Sequence, residues 1–140
     1  MSRFAFSMLP MCLALGAGCS SQPGELVDYQ VTGGLTGHGD GSSLTLDTRG
    51  VGTRTTTSGA IPVQLDPAAL SDLNAKIRDA QFATLQPTYG CNGCTDGFVY
   101  DIAVQSGGRH YEVSFDESSA YPGGLRTLLA TLKQLAPADR

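Results

Sequence analysis

The sequence predicts an α+β domain: a curled antiparallel sheet of about five strands, in the order β-β-β-α-β-β-α, with two helices on one face. Three observations carry this. Five short stretches show strand-like alternation or β propensity. Two longer stretches switch to helical spacing. Each element has a single apolar face, so one side of the sheet needs a cover and the other can meet water.

The elements follow in chain order. Residues 26–32 mix apolar and polar positions as a strand does. In SLTLDT, residues 43–48, Leu44 and Leu46 share one face. Residues 53–57 are a Thr-rich run approached through Gly50 and Gly52. The period then changes. Asp66-Pro67 is a helix start, a capping carboxylate followed by Pro at the first helical position. Leu70, Leu73, Ile77 and Ala80 form the apolar stripe, with Lys76, Arg78 and Asp79 near its polar side. Phe82 and Leu85 lead out of that helix.

Two more strands are the clearest part of the chain. Phe98, Tyr100, Ile102 and Val104 alternate, and so do Tyr111, Val113 and Phe115. A two-residue turn at Gly107-Gly108 pairs Val104 with Tyr111, Ile102 with Val113 and Tyr100 with Phe115, which places the large apolar residues on one face. Asp101, Gln105, His110, Glu112 and Ser114 fall on the other. Leu125, Leu128, Leu129, Leu132 and Leu135 make a last amphipathic helix, closed by Pro137.

The first residues read differently. Arg3 is the only charge before Glu25, and residues 4–18 are an apolar run too short for a permanent membrane span. Gly16-Ala17-Gly18 stands directly before Cys19, with Leu15 one place earlier than such patterns prefer. This resembles a bacterial lipoprotein signal. The resemblance implies cleavage before Cys19, diacylglycerol on its sulfur and an acyl chain on its new amine. The alternatives are an unlipidated secretory signal and a retained helix. The expected organisation is therefore a signal at 1–18, a lipidated Cys19 and short tether at 19–24, and one α+β domain at 25–140. The expected location is the bacterial cell envelope, on the exported side, with the lipid on Cys19 as membrane partner. Each buried methylene of an acyl chain contributes about 0.8 kcal/mol to such anchoring. Without Arg3 the chain carries eight basic and thirteen acidic residues, a formal charge of −5. No basic cluster occurs, so nucleic acid is not an expected partner.

Cys91-Asn92-Gly93-Cys94 allows three readings. A redox pair needs its first Cys at a helix N-terminus, yet here a strand-like run follows. A metal site needs two more ligands, and His38 and His110 are isolated. A disulfide staple suits an exported chain with no other cysteines after Cys19. Its loop is so small that its entropic contribution is about 2 kcal/mol. Asn92-Gly93 supplies turn chemistry. The staple is the preferred reading, and no cofactor or metal is expected.

Catalytic motifs are absent. There is no Gly-X-Ser-X-Gly elbow and no HEXXH. GGLTGHGDGS, residues 33–42, is rich in Gly but has no Lys and joins two strands, so it reads as a hairpin loop rather than a phosphate cradle. His110, Ser114 and Asp101 share a strand face, where solvated polar residues are ordinary. Asp116-Glu117 reads as strand-end solvation.

TGGLTG, FATL, DGFVYDIAV, GGRHYEVSFDE and a Pro before the Leu-rich last helix occur in an order that resembles emfourin. The similarity runs from about Asp28 to Leu135. It implies a small inhibitor of thermolysin-like metalloproteases, related to the protealysin inhibitor, rather than an enzyme. Such inhibitors present a shaped loop that needs little ordering on binding. Two loops are candidates for that role. One is the more mobile, glycine-rich loop, with Gly33, Gly34, Leu35 and His38, and the other is the pinned loop, with Asn92 and Gly93. The alternative is an envelope binding or structural module for a non-protease partner.

Overall fold

A computed structural model of the chain describes residues 24–33, 41–90 and 97–137. Seven strands and two helices follow in order: β1 Glu25–Gly33, β2 Ser43–Asp47, β3 Val51–Thr56, β4 Gly59–Gln64, α1 Pro67–Asp79, β5 Thr88–Tyr89, β6 Phe98–Ser106, β7 Arg109–Asp116 and α2 Gly123–Leu135. They form one open sheet in the order β4-β3-β2-β1-β6-β7-β5.

The α+β class, the two helices and the β6–β7 hairpin match the sequence expectation. Gly107 and Gly108 both take positive φ, at 59° and 74°, as the tight turn requires. The register pairs Val104 with Tyr111, Ile102 with Val113 and Tyr100 with Phe115. The Asp66 carboxylate accepts the Ala69 N–H at 2.8 Å and caps α1, with Pro67 beginning the helix. Leu73 and Ile77 of α1 and Leu125, Leu128 and Leu132 of α2 join Tyr29, Leu44, Leu46, Ile102 and Phe115 in one buried cluster. Leu70 packs at its margin.

The strand count and pairing differ from the expectation of about five antiparallel strands. Gly59–Gln64 forms a strand although it contains Pro62. The register explains this. The Leu65 N–H donates to the Gly50 carbonyl at 2.9 Å, so residues 50 and 65 are a hydrogen-bonded pair. Counting along the ladder, Thr53 and Pro62 form a pair that exchanges no bonds, and the Pro62 nitrogen faces away from β3. Proline fits a strand only on such an edge, where it also blunts pairing with another chain. The seventh strand, β5, has two residues and runs parallel to β7, so the sheet is mixed. The Pro87 carbonyl extends that pairing by accepting the Ser114 N–H at 2.9 Å.

Asp116 is also a correction. It is buried, at 3% exposure, instead of solvated at a strand end. Its carboxylate accepts from the Ser118 N–H at 2.9 Å and the Ser118 hydroxyl at 2.7 Å, which closes the turn after β7.

Candidate functional site

Strand pairing brings together the described residues that border the two candidate loops. Gly33, the last residue of β1, stands opposite Phe98, the first of β6. Beyond them the chain enters residues 34–40 and, on the other side, has just left residues 91–96. Gly33 has φ 101°, and a Cβ there would collide with the Gly97 carbonyl oxygen. Only glycine allows both the turn and the close approach of these two backbones. On the return, the Ser42 carbonyl accepts the Val31 N–H at 3.0 Å, holding the end of the first loop against β1.

Just inside this end lies a cavity of about 230 Å³. Tyr29 and Val31 of β1, Phe98 and Tyr100 of β6, Ser42, and Glu117, Lys133 and Ala136 line it. The Tyr29 and Tyr100 rings are nearly parallel, with centroids 6.5 Å apart. Tyr100 Oη donates to Glu117 Oε1 at 3.4 Å. Lys133 Nζ lies 3.6 Å from the same oxygen and 4.4 Å from the Tyr100 ring centroid, a cation–π contact. Ser42 is buried, at 3% exposure, and its Oγ has no hydrogen-bond partner among the described residues.

The electrostatics follow from the packing. Burial pushes the Tyr29 phenol well above its ordinary value, and neighbouring Tyr100 adds to this. Burial raises Tyr100 too, against the opposing pull of Lys133. For Lys133, burial favours the neutral amine, but Tyr100 and Glu117 outweigh it and the ammonium is held more firmly than usual. Both phenols resist ionisation more in the folded than in the unfolded chain. Their contribution to stability is therefore complete below the unfolded value of about 10 and is lost as pH rises through the raised folded values. Tyr29→Phe should flatten the alkaline limb of stability measured by urea unfolding above about pH 10. An unchanged alkaline limb would contradict this assignment.

The opposite sheet face offers a larger depression of about 450 Å³ lined by Glu25, Asp28, Gln30, Asp101, Ala103, His110 and Glu112. Asp101, His110 and Ser114 do not meet there as a triad. His110 and Ser114 lie four residues apart on one strand, about 13 Å along it. The His110 ring instead approaches the Gln105 amide at 3.4 Å. Among the described residues, no group of three or more His, Cys, Asp or Glu side chains is arranged to hold a metal ion. No helix among them is long and apolar enough to cross a membrane.

Of the residues singled out by sequence, Gly33 takes its place at the loop end. Cys19, Gly34, Leu35, His38, Cys91, Asn92, Gly93 and Cys94 lie outside the described residues. Sequence reasoning missed Ser42, Glu117 and Lys133. They are far apart in the chain, and each alone reads as an ordinary solvated side chain. The one available signal was Tyr100, a phenol on the core face of a strand, whose buried hydroxyl calls for a polar partner.

No curated protein matches the sequence. The Emfourin family matches residues 53–133, from β3 into the last turns of α2. The matched segment includes residues 91–96, whereas β1, β2 and the glycine-rich loop precede it. The match spans more than half of the chain and includes α1, the β6–β7 hairpin and most of α2, all of which contribute to the core, and on it the chain belongs to the Emfourin family.

Proposed function

We propose that this chain is a non-catalytic, membrane-anchored inhibitor of thermolysin-like metalloproteases and that it meets its target through the loop end of the sheet. The observation that carries the reading is the Emfourin match over residues 53–133, which fits an inhibitor-type role at the level of the family. The contact assignment is supported by the Gly33–Phe98 pair, which sets the end of β1, before residues 34–40, beside the start of β6, after residues 91–96. Loops projecting from one end can enter a protease cleft, which a flat sheet face cannot do. A fixed frame beneath them lowers the ordering cost of binding. Gly33, Gly34, Leu35 and His38 on one loop and Asn92 and Gly93 on the other are the proposed contacts, and a Cys91–Cys94 disulfide would pin the second.

Titrating the full chain into a thermolysin-like protease tests this. Activity should fall with inhibitor concentration, while a subtilisin-like protease stays active. Full thermolysin-like activity at a large excess of inhibitor would reject the reading.

Lipid on Cys19 would tether the domain close to an envelope membrane. Residues 20–24 span at most about 18 Å when extended. In detergent partitioning, the parent should enter the detergent phase and Cys19→Ala the aqueous phase. Identical behaviour of the two would remove the anchor from the proposal.

A further inference from the structure

We infer that Asp116, at the end of β7, is a positioning residue for residues 91–96, because it holds the described chain on both sides of them. That those residues touch a protease rests on the inhibitor reading above, but the hold on their two flanks does not.

The sheet order puts Asp116 in that place. β7 lies between β5 and β6. On one side β5 runs parallel to it, with Tyr89 beside Phe115, so Gly90 comes next to Asp116. On the other side β6 runs antiparallel, with Val99 beside Asp116. There the Glu117 N–H donates to the Phe98 carbonyl at 3.1 Å. Neighbouring strands stand about 4.8 Å apart, so Gly90 and Val99 are separated by about 10 Å across β7. The chain between them could reach about 30 Å when extended. The gap is thus too narrow to fix the connection by stretching it, and its two ends need contacts that hold them.

The carboxylate supplies the hold on the Gly90 side. Gly90 has φ 84°, and a Cβ on it would collide with Asp116 Oδ2 and stand 2.7 Å from Asp116 Cγ and 2.9 Å from Ser119 Cβ. The Gly90 backbone therefore lies flush against the carboxylate, a seat that only glycine takes without strain. The carboxylate is not free to turn away. Its Oδ1 accepts the Ser118 N–H and hydroxyl, and the Ser119 hydroxyl donates to the Asp116 carbonyl at 2.8 Å. Bonds to an ionised acceptor are the strong kind. Closing the turn after β7 uses Oδ1, whereas Oδ2 is the atom packed on Gly90. One residue thus joins the turn, the chain before residues 91–96 and the chain after them.

Amide hydrogen exchange in the full chain reads the hold directly. The Ser114 N–H donates to the Pro87 carbonyl and reports the β5 flank, and the Glu117 N–H reports the β6 flank. The Val31 N–H, bonded to Ser42, is the reference. In Asp116→Ala and in Gly90→Ala, Ser114 and Glu117 should exchange at least about tenfold faster and Val31 less than about twofold faster. Gly90→Ala acts beside a two-residue edge strand, so it keeps the test open if Asp116→Ala fails to fold. Unchanged exchange at both reporters, or an equal rise at Val31, would overturn the inference. Inhibition of a thermolysin-like protease, measured where each variant is fully folded, supplies the second readout. Both variants should inhibit at least about tenfold more weakly than the parent, equivalent to about 1.4 kcal/mol. Gly52→Ala, which strains the remote β2–β3 pair, is the control for general destabilisation and should inhibit within about twofold of the parent. If the reporters exchange faster but both variants inhibit as well as the parent, Asp116 positions no contact and the inhibitor reading stands. If the reporters behave as expected and the parent inhibits no protease, the hold on the two flanks stands and the inhibitor reading falls.

Discussion

Phe115→Ala should destabilise the domain by about 3–5 kcal/mol, a large share of a typical total of about 5–15 kcal/mol. Phe115 is completely buried. It sits opposite Tyr100 across the β6–β7 ladder, with ring centroids 5.6 Å apart, and 4.6 Å from the Tyr121 ring. Truncation removes apolar burial and two aromatic contacts and leaves a cavity where the sheet meets α2. Tyr100 also walls the candidate site, so the same change should loosen the loop end. Urea unfolding monitored by circular dichroism measures the effect. A loss below about 1 kcal/mol would show that the core is not continuous across Tyr100, Phe115 and Tyr121.

Gly52→Ala should cost about 3 kcal/mol or more, although the change adds a single methyl group. At an unconstrained position, replacing Gly by Ala stabilises by about 0.4–1 kcal/mol through the unfolded chain. Gly52 stands opposite Leu46 in the β2–β3 pair. A Cβ on it would overlap the Thr45 carbonyl oxygen and come within 2.9 Å of Leu46 Cα. These are main-chain atoms of the neighbouring strand and cannot swing aside. The two strands would have to separate, weakening the ladder that joins β3 and β4 to the rest of the sheet. The sign of the effect decides the matter. A stabilised Gly52→Ala variant in the same unfolding assay would refute the close approach of β2 and β3.

What the sequence disclosed follows the range of the interactions involved. The β6–β7 hairpin was readable to the residue because its alternation, its Gly107-Gly108 turn and its register are all local. The Asp66-Pro67 helix start was readable for the same reason. Pro62 hid β4, because proline is excluded from strands except where its nitrogen faces outward on an edge, and edge position is a property of the whole sheet. Thr88–Tyr89 is too short to show any period, and its parallel partner lies more than twenty residues away. Asp116 looked solvated because it is charged, whereas its bonds to Ser118 let it be buried.

The candidate site divides along the same line. Gly33 was visible as part of a glycine-rich loop. That the strand end before its loop stands beside the strand start after residues 91–96 depends on the β1–β6 pairing, which joins Gly33 to Phe98 across more than sixty residues. Tyr100, Glu117 and Lys133 meet only after β6, the turn beyond β7 and α2 have packed together. No spacing pattern announces such a meeting. His110 and Ser114 show the converse. Their types suggested catalysis, but strand geometry keeps them apart.

If the loop end, and not the open sheet face, meets a thermolysin-like protease, the inhibition constants of two sets of full-chain variants against one such enzyme must diverge. In the first set, residues 33–42 and 88–97 are altered in turn and together. In the second, His110→Ala and Glu112→Ala are made on the opposite sheet face, in the depression they line. Inhibition should weaken at least about tenfold in the first set, equivalent to about 1.4 kcal/mol, and change less than about twofold in the second. Unchanged inhibition after both loops are altered, with a tenfold loss in His110→Ala or Glu112→Ala, would place the contact on the sheet face and contradict the loop-end assignment.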